Sequence, residues 1–308
     1  MQNLAREADG FEILGLENEQ VSLWIAPALG AKWVSLRDRR RDREWMWSPP
    51  DRDGLFRAPD ANAFHTSSLI GADECFPTIA PAQWAGRALP DHGEVWNLPW
   101  TVIAHTPATL TTQIDLPISP LRLTRAIELD AATLTVDYRV ENRGDAPEPF
   151  VWAFHPLLKI GPGDQLALGP AIGELLLESA IGVDLGKRGA VCAWPAPQTA
   201  MDLSRLELGG DARAAKFFTH PLPPGSGWAQ VYNSETHTSL TYTFSSEQVN
   251  TLGIWLTRGG WNGYHHLAVE PGIGAPDPLD VAVADWERFG TVAPAGEKTW
   301  RFQLTLGT

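Results

Sequence analysis

Short runs that alternate apolar and polar residues, broken by Gly, Pro, Asn and Asp, dominate the chain. The alternation predicts strands at 21–25 and 32–36 around the turn formers Pro27 and Gly30. It predicts two more at 110–116 and 121–129, joined across Pro117 and Pro120. The second of these continues as a hairpin into 133–141, whose sequence TLTVDYRVEN alternates cleanly and ends in the turn residues Asn142 to Asp145. Further strands are expected at 228–233, 237–244, 252–257, 264–270 and 299–306.

Helical spacing is scarce. One short helix is expected at 279–289, after Pro278, with Asp280 as its N-cap. The fold class that follows is all-β, a large antiparallel β-sandwich with many strands at short spacing. No repeat of fixed period is present. The 25 prolines and 28 glycines are dispersed and mark no linker, so residues 1–308 are read as a single domain.

The charge balance narrows the partners. The chain carries 24 basic and 37 acidic residues, a net charge of −13. Such acidity argues against nucleic acid, whose phosphates need a basic face, and against anionic membrane surfaces. The N-terminal residues have no apolar stretch of signal-peptide length, and no window approaches a membrane span. Two cysteines, Cys75 and Cys192, give no disulfide framework and no metal-ligand spacing. A reducing, cytoplasmic location is therefore expected. Tryptophan is abundant, with 14 residues against 4 tyrosines. Most indoles pack in cores, but their faces also stack on the C–H faces of sugar rings.

Three segments place titratable residues among apolar, Gly and Pro neighbours. Residues 71–100 read as a long ordered loop holding Asp73, Glu74, Arg87, Asp91, His92 and Glu94 among prolines and tryptophans. In PFVWAFHPLLKI, His155 ends an apolar strand before Pro156; a lone histidine there is a satisfied core residue or a proton carrier. In YHHLAVEPGIGAPD, Glu270 closes a strand before Pro271 and a Gly-rich turn, as a capping carboxylate or as a base pointing into a cleft. No nucleophile elbow, P-loop, zinc-protease helix motif or dinucleotide fingerprint occurs. His265 and His266 are consecutive in a strand and face opposite sides, so they cannot share a metal.

Together these segments resemble the aldose 1-epimerase (galactose mutarotase-like) family. LPDHGEVWNLPW resembles its His-Gly segment, FVWAFHPLL its second-histidine strand, and AVEPGIGAPD the segment carrying its glutamate. CFPTIAP is similar to a stretch of the branch that contains hexose-phosphate epimerases, and TLTVDYRVENRGDAP to the hairpin before the second histidine. The order matches, over roughly residues 20–306.

The resemblance implies a β-supersandwich with a sugar on its concave face, and an isomerase that interconverts α and β anomers. Glu270 would remove the anomeric proton, His155 would protonate the ring oxygen, and His92 would bind the sugar. No metal or organic cofactor is implied. The partner is a small sugar, and the chain is expected as a monomer or a homodimer.

The chain departs from the pattern in places. Asp91 and Glu94 flank the His92–Gly93 pair, and an acidic pair, Asp73 and Glu74, precedes the CFP stretch where the hexose-phosphate branch carries an arginine. Two carboxylates repel a phosphate, which favours a non-phosphorylated aldose, although Arg87 restores some affinity for anions. Asp73, Glu74 and Arg87 are thus expected to touch the sugar, and Trp96 to stack on it, ahead of Trp152 and Trp261. The family's additional substrate-binding aspartate has no evident counterpart. Two other readings stand beside this one: a non-catalytic carbohydrate-binding protein of the same fold, and a β-sandwich glycoside hydrolase or lyase using Glu270 with Glu74 or Asp73.

Overall fold

The computed structural model describes residues 4–52, 54–60, 62–197, 202–206 and 212–307. Two large antiparallel sheets, of twelve and eight strands, account for most of it. The predicted hairpin is Leu121–Asp130 and Thr133–Asn142, paired from Asp130↔Thr133 to Leu121↔Asn142. Its burial alternates residue by residue, because one face meets the core and the other water. It sits inside the eight-stranded sheet, next to Glu297–Gly307.

The larger sheet runs at its centre through Ala72–Cys75, Trp152–Leu158, His265–Ile273, Thr251–Arg258, Arg213–Thr219 and Glu174–Ile181. Its inner face packs on the smaller sheet in one core cluster that reaches from Leu14 to Leu306. Aromatic rings join the two layers: Trp152 lies 5.1 Å from Trp300 and 4.8 Å from Tyr138. Each such side chain, fully withdrawn from water, contributes about 1.5–3 kcal/mol or more.

Several expectations change. The helix spans only Leu279–Ala284, with Pro278 at its N-cap position and no side-chain cap; Asp280 lies in its first turn. Residues 71–100 are not one long loop. Ala72–Cys75 pairs with Trp152–Leu158 deep in the larger sheet, and Ala82–Trp84 forms a small hairpin with Arg87–Leu89. The strands carrying His155 and Glu270 do not end there but continue through Pro156 and Pro271. Proline has no N–H to give a ladder. Pairing between these two strands runs through Ala153↔Gly272 and resumes only at Leu157↔Ala268. The ladder is thus interrupted around Pro156 and Pro271, and in the same register His155 stands opposite Glu270. Among the described residues, no helix is long and apolar enough to cross a membrane.

Candidate active site

The outer face of the larger sheet carries a cleft of about 220 Å³. Strand pairing explains which side chains reach it. Glu270 is paired with Gly253, and Gly253 with Phe218. In the next row, Leu157 pairs with Ala268, Ala268 with Trp255, Trp255 with Lys216, and Lys216 with Ser179. His155, Leu157, Ser179, Lys216, Trp255 and His266 line the cleft. A short 3-10 helix, Phe64–Thr66, supplies Phe64, and loops supply Ile79, Ala80, Asp91, His92, Trp261 and Asp277.

Glu270 is wholly buried, behind the wall formed by His155, Lys216 and Asp277. Its Oε1 lies 3.5 Å from His155 Nε2 and its Oε2 lies 3.0 Å from Lys216 Nζ. Neither contact is a well-directed hydrogen bond, so both carboxylate oxygens keep accepting capacity. Lys216 Nζ also donates to Asp277 Oδ1 at 2.8 Å. Burial disfavours the ammonium, but the adjacent Asp277 and Glu270 carboxylates outweigh it and hold Lys216 above the ordinary lysine range. Asp277 moves up: burial raises it, Lys216 offsets part of this, and Glu270 adds repulsion. The main-chain oxygen of Asp277 accepts from the amides of Ile79 and Ala80, which pins its loop to the Pro77–Ala80 segment.

Glycine is required beside this cluster. A Cβ on Gly253 would lie 2.9 Å from Glu270 Oε2. Gly93 fits a second tight place: its φ is +76°, and a Cβ there would lie 2.2 Å from the carbonyl oxygen of Phe76. That turn presents His92, itself at φ +59°. The His92 ring stacks on Phe64 at 3.6 Å and stands edge-on to His155 at 5.3 Å. Its Nδ1 lies 3.0 Å from Asp91 Oδ1. Burial of Asp91 opposes ionisation, but His92 prevails and keeps its carboxyl below the usual range.

His155 is driven well below the ordinary histidine range, first by burial and then by His92 and Lys216. It is therefore a neutral imidazole near pH 7. His266, buried and close to His155 and His265, is lowered to about 3. The indole of Trp255 donates to His266 Nε2 at 3.1 Å, and Trp255 and Trp261 form an aromatic wall. At the rim, a β-bulge falls between Leu177 and Ser179, and Glu178 is the extra residue. Glu178 pairs with Arg188 at 2.9 Å, yet burial and the Asp277 carboxylate raise it to about 7.

His155 and His92 thus lie in the cleft and Glu270 directly behind its wall, but other expected contacts lie elsewhere. Asp73 is 1% exposed and is held by Lys32 at 2.5 Å. Glu74 points between the sheets, where it accepts from Arg125, Tyr138 and Trp152. Ala72–Cys75 is a buried strand, so both carboxylates meet internal partners and neither lines the cleft. Arg87 is paired with Glu148, and Glu94 accepts from the amides of Ile118 and Ser119. Trp96 is 1% exposed and donates to the Asp91 carbonyl; it supports the loop instead of facing the cleft. Trp152 is a core residue, whereas Trp261 does line the cleft. Lys216, Asp277, Phe64 and Trp255 were not singled out by sequence. Among the described residues, no three His, Cys, Asp or Glu side chains converge as a metal ion would need.

The family described as aldose 1-epimerase matches residues 12–169, just over half of the chain. No curated protein matches by sequence. Among solved structures, a protein of Synechocystis sp. PCC 6803 is 20% identical with a TM-score of 0.74, covering 100% of both chains. A galactose mutarotase related enzyme from Lactobacillus acidophilus is 16% identical with a TM-score of 0.66, covering 96% of this chain and 97% of its own. A galactose mutarotase-like protein from Clostridium acetobutylicum is 13% identical with a TM-score of 0.72, covering 100% and 98%. At these identities the solved structures establish a shared fold.

Proposed function

The chain belongs to the aldose 1-epimerase family, and on that premise we propose that it is a mutarotase acting on a free, non-phosphorylated aldose. The observation that carries the reading is the pair His155 Nε2 and Glu270 Oε1, 3.5 Å apart at the cleft wall. Ring opening needs one proton removed from the anomeric hydroxyl and one delivered to the ring oxygen, on neighbouring atoms. Glu270 accepts the first through Oε1, once that hydroxyl enters between His155 and Lys216. His155 faces the ring oxygen. The open aldehyde rotates about C1–C2 and closes on its other face. Well-placed acid–base groups contribute about 10²- to 10⁴-fold each. Trp255 and Trp261 supply a flat apolar wall for the sugar ring, and His92 a polar edge.

The non-phosphorylated substrate rests on charge. Among the described lining residues Lys216 is the one permanent cation, and two carboxylates already occupy it. The hydrolase reading loses support, because the second carboxylate it needs, Asp73 or Glu74, is engaged internally.

Optical rotation or proton NMR of freshly dissolved α-anomers of glucose, galactose, xylose, glucosamine and glucose 6-phosphate tests the proposal. Wild type is expected to speed equilibration of at least one neutral sugar, and Glu270→Gln and His155→Ala to lose that gain. Glu270→Gln retaining sugar affinity without turnover fits the enzyme. Binding with no acceleration by wild type would instead identify a carbohydrate-binding protein.

A further inference from the structure

We propose that Asp91 is a positioning residue for His92: its carboxylate holds the imidazole proton on Nδ1, so that Nε2 meets the sugar as an acceptor and reads one of its hydroxyls. That His92 touches a sugar rests on the mutarotase reading above; the place of the proton on the ring does not.

The turn brings two consecutive side chains together. In a strand such neighbours point to opposite faces. His92 instead sits at φ +59°, a left-handed conformation that a side chain larger than glycine's adopts at a cost. Contacts from outside the turn hold it there. The His92 amide donates to the Ile79 carbonyl at 2.7 Å, and the Glu94 amide to that of Phe76 at 2.8 Å. The Trp96 indole donates to the Asp91 carbonyl at 2.9 Å and stands edge-on to Phe64 at 5.0 Å. In this frame the His92 ring folds back over its own neighbour, with Nδ1 3.0 Å from Asp91 Oδ1.

Each side of the ring then has a separate task. Phe64 covers one face, tilted by only 10° at 3.6 Å. Nδ1 is withdrawn from water, with the Asp91 carboxylate beside it. The contact is short and bent, and a sugar bound at Nε2 would draw it straighter. An ionised carboxylate accepts hydrogen bonds and donates none. Burial opposes the Asp91 charge, yet the His92 contact, with the Phe64 amide and the His65 ring, maintains it. A nitrogen facing such a group carries the proton, and a neutral ring then offers a lone pair at Nε2.

That lone pair selects its partner. The ring oxygen of a pyranose has no proton to give, whereas every hydroxyl has one. Nε2 of His92 therefore takes a hydroxyl. The ring oxygen is left to His155, whose ring stands 5.3 Å from that of His92.

The tautomer is read by long-range proton–nitrogen NMR on isotope-labelled protein at pH 8, above the ordinary histidine range. His92→Ala identifies the His92 signals among those of the 8 histidines. Wild type is expected to carry the proton on Nδ1, and its Nε2 signal to move when the aldose it turns over is added. Asp91→Asn replaces the carboxylate with a carboxamide that can turn its NH₂ toward Nδ1. The proton is expected to shift to Nε2 in whole or in part, and kcat/KM to fall about tenfold, chiefly through KM. Because Asp91 acts through His92, Asp91→Asn in the His92→Ala background should change kcat/KM by less than about twofold. A wild-type proton on Nε2 would overturn the proposal, and so would an Asp91→Asn variant with tautomer and KM unchanged. A full tenfold loss in the double variant would show Asp91 touching the sugar itself and would also overturn it. The wild-type spectrum decides even where a variant does not fold. A wild type that accelerates no sugar defeats the mutarotase reading instead, and the tautomer, read without sugar, keeps the two failures apart.

Discussion

Gly253 lies directly across the ladder from Glu270, and the carboxylate of Glu270 occupies the space a side chain at 253 would need. Gly253→Ala would set a Cβ 2.9 Å from Oε2, so the carboxylate must move away from Lys216. Displacing a reacting group by about 1 Å costs on the order of 10²-fold. The expected outcome is a folded protein with kcat reduced by about that factor and sugar affinity little changed. Turnover within twofold of wild type would show that Glu270 does not need this position.

Glu178 links stability to pH. Its carboxyl is raised from an ordinary 4.5 to about 7 in the folded protein. Below pH 4.5 both states hold the proton and nothing is lost. Between 4.5 and 7 the unfolded chain releases it while the folded protein retains it, so stability falls as pH rises and levels off above 7. Glu178→Gln keeps a hydrogen-bond partner for Arg188 and removes the charge. Thermal melts should find the variant more stable than wild type at pH 8, on the order of 2 kcal/mol, and equal to it near pH 4.5. A difference of the same size at both pH values would refute the link.

Between the sheets, Arg125 and Glu74 form an ion pair at 2.8 Å with both side chains at most 1% exposed. Arg125→Leu strands a buried carboxylate, and such single losses cost about 3–5 kcal/mol. Replacing both residues with apolar ones of similar volume should recover part of that cost, since Tyr138 and Trp152 then lose the acceptor they share in Glu74. Urea unfolding midpoints for Arg125→Leu and the double variant provide the measurement; a double variant as unstable as Arg125→Leu would contradict the account. Neither residue lines the cleft, so activity per folded molecule should hold.

Phosphorylated substrates should be disfavoured. Asp91 and Asp277 line the cleft, and Glu178 lies near enough to Asp277 to feel its charge. A dianionic phosphate would face these groups with only the already paired Lys216 in its favour. Competition by NMR should give a lower kcat/KM for glucose 6-phosphate than for glucose, and the gap should narrow as salt is added. A preference for the phosphate would place an unrecognised cation at the cleft.

The half-exposed strands were legible because their two faces meet different solvents. Thr133–Asn142 alternates from end to end for that reason. Ala72–Cys75 is buried on both faces, so its acidic pair broke the pattern and suggested a solvated loop. The partners that neutralise those acids, Lys32 and Arg125, lie 41 and 51 residues away in sequence, beyond any local signal. His155 and Glu270 stood out as titratable residues before prolines and through their family resemblance. Lys216 did not: a lysine inside RAAKFFT looks like a strand residue facing water, and only strand pairing brings it to Glu270. The two prolines suggested strand ends, whereas the sheet tolerates them as a break in one ladder.

None of the described residues lining the cleft belongs to the eight-stranded sheet. Stacked sheets lie about 10 Å apart, and the effects of substitutions at that separation usually add. Changes that retune sugar choice and changes that restore lost stability therefore fall on separate territories of the molecule. A lineage diverging toward a new sugar, or a laboratory selecting for one, can draw on the smaller sheet for compensating substitutions without disturbing the new specificity.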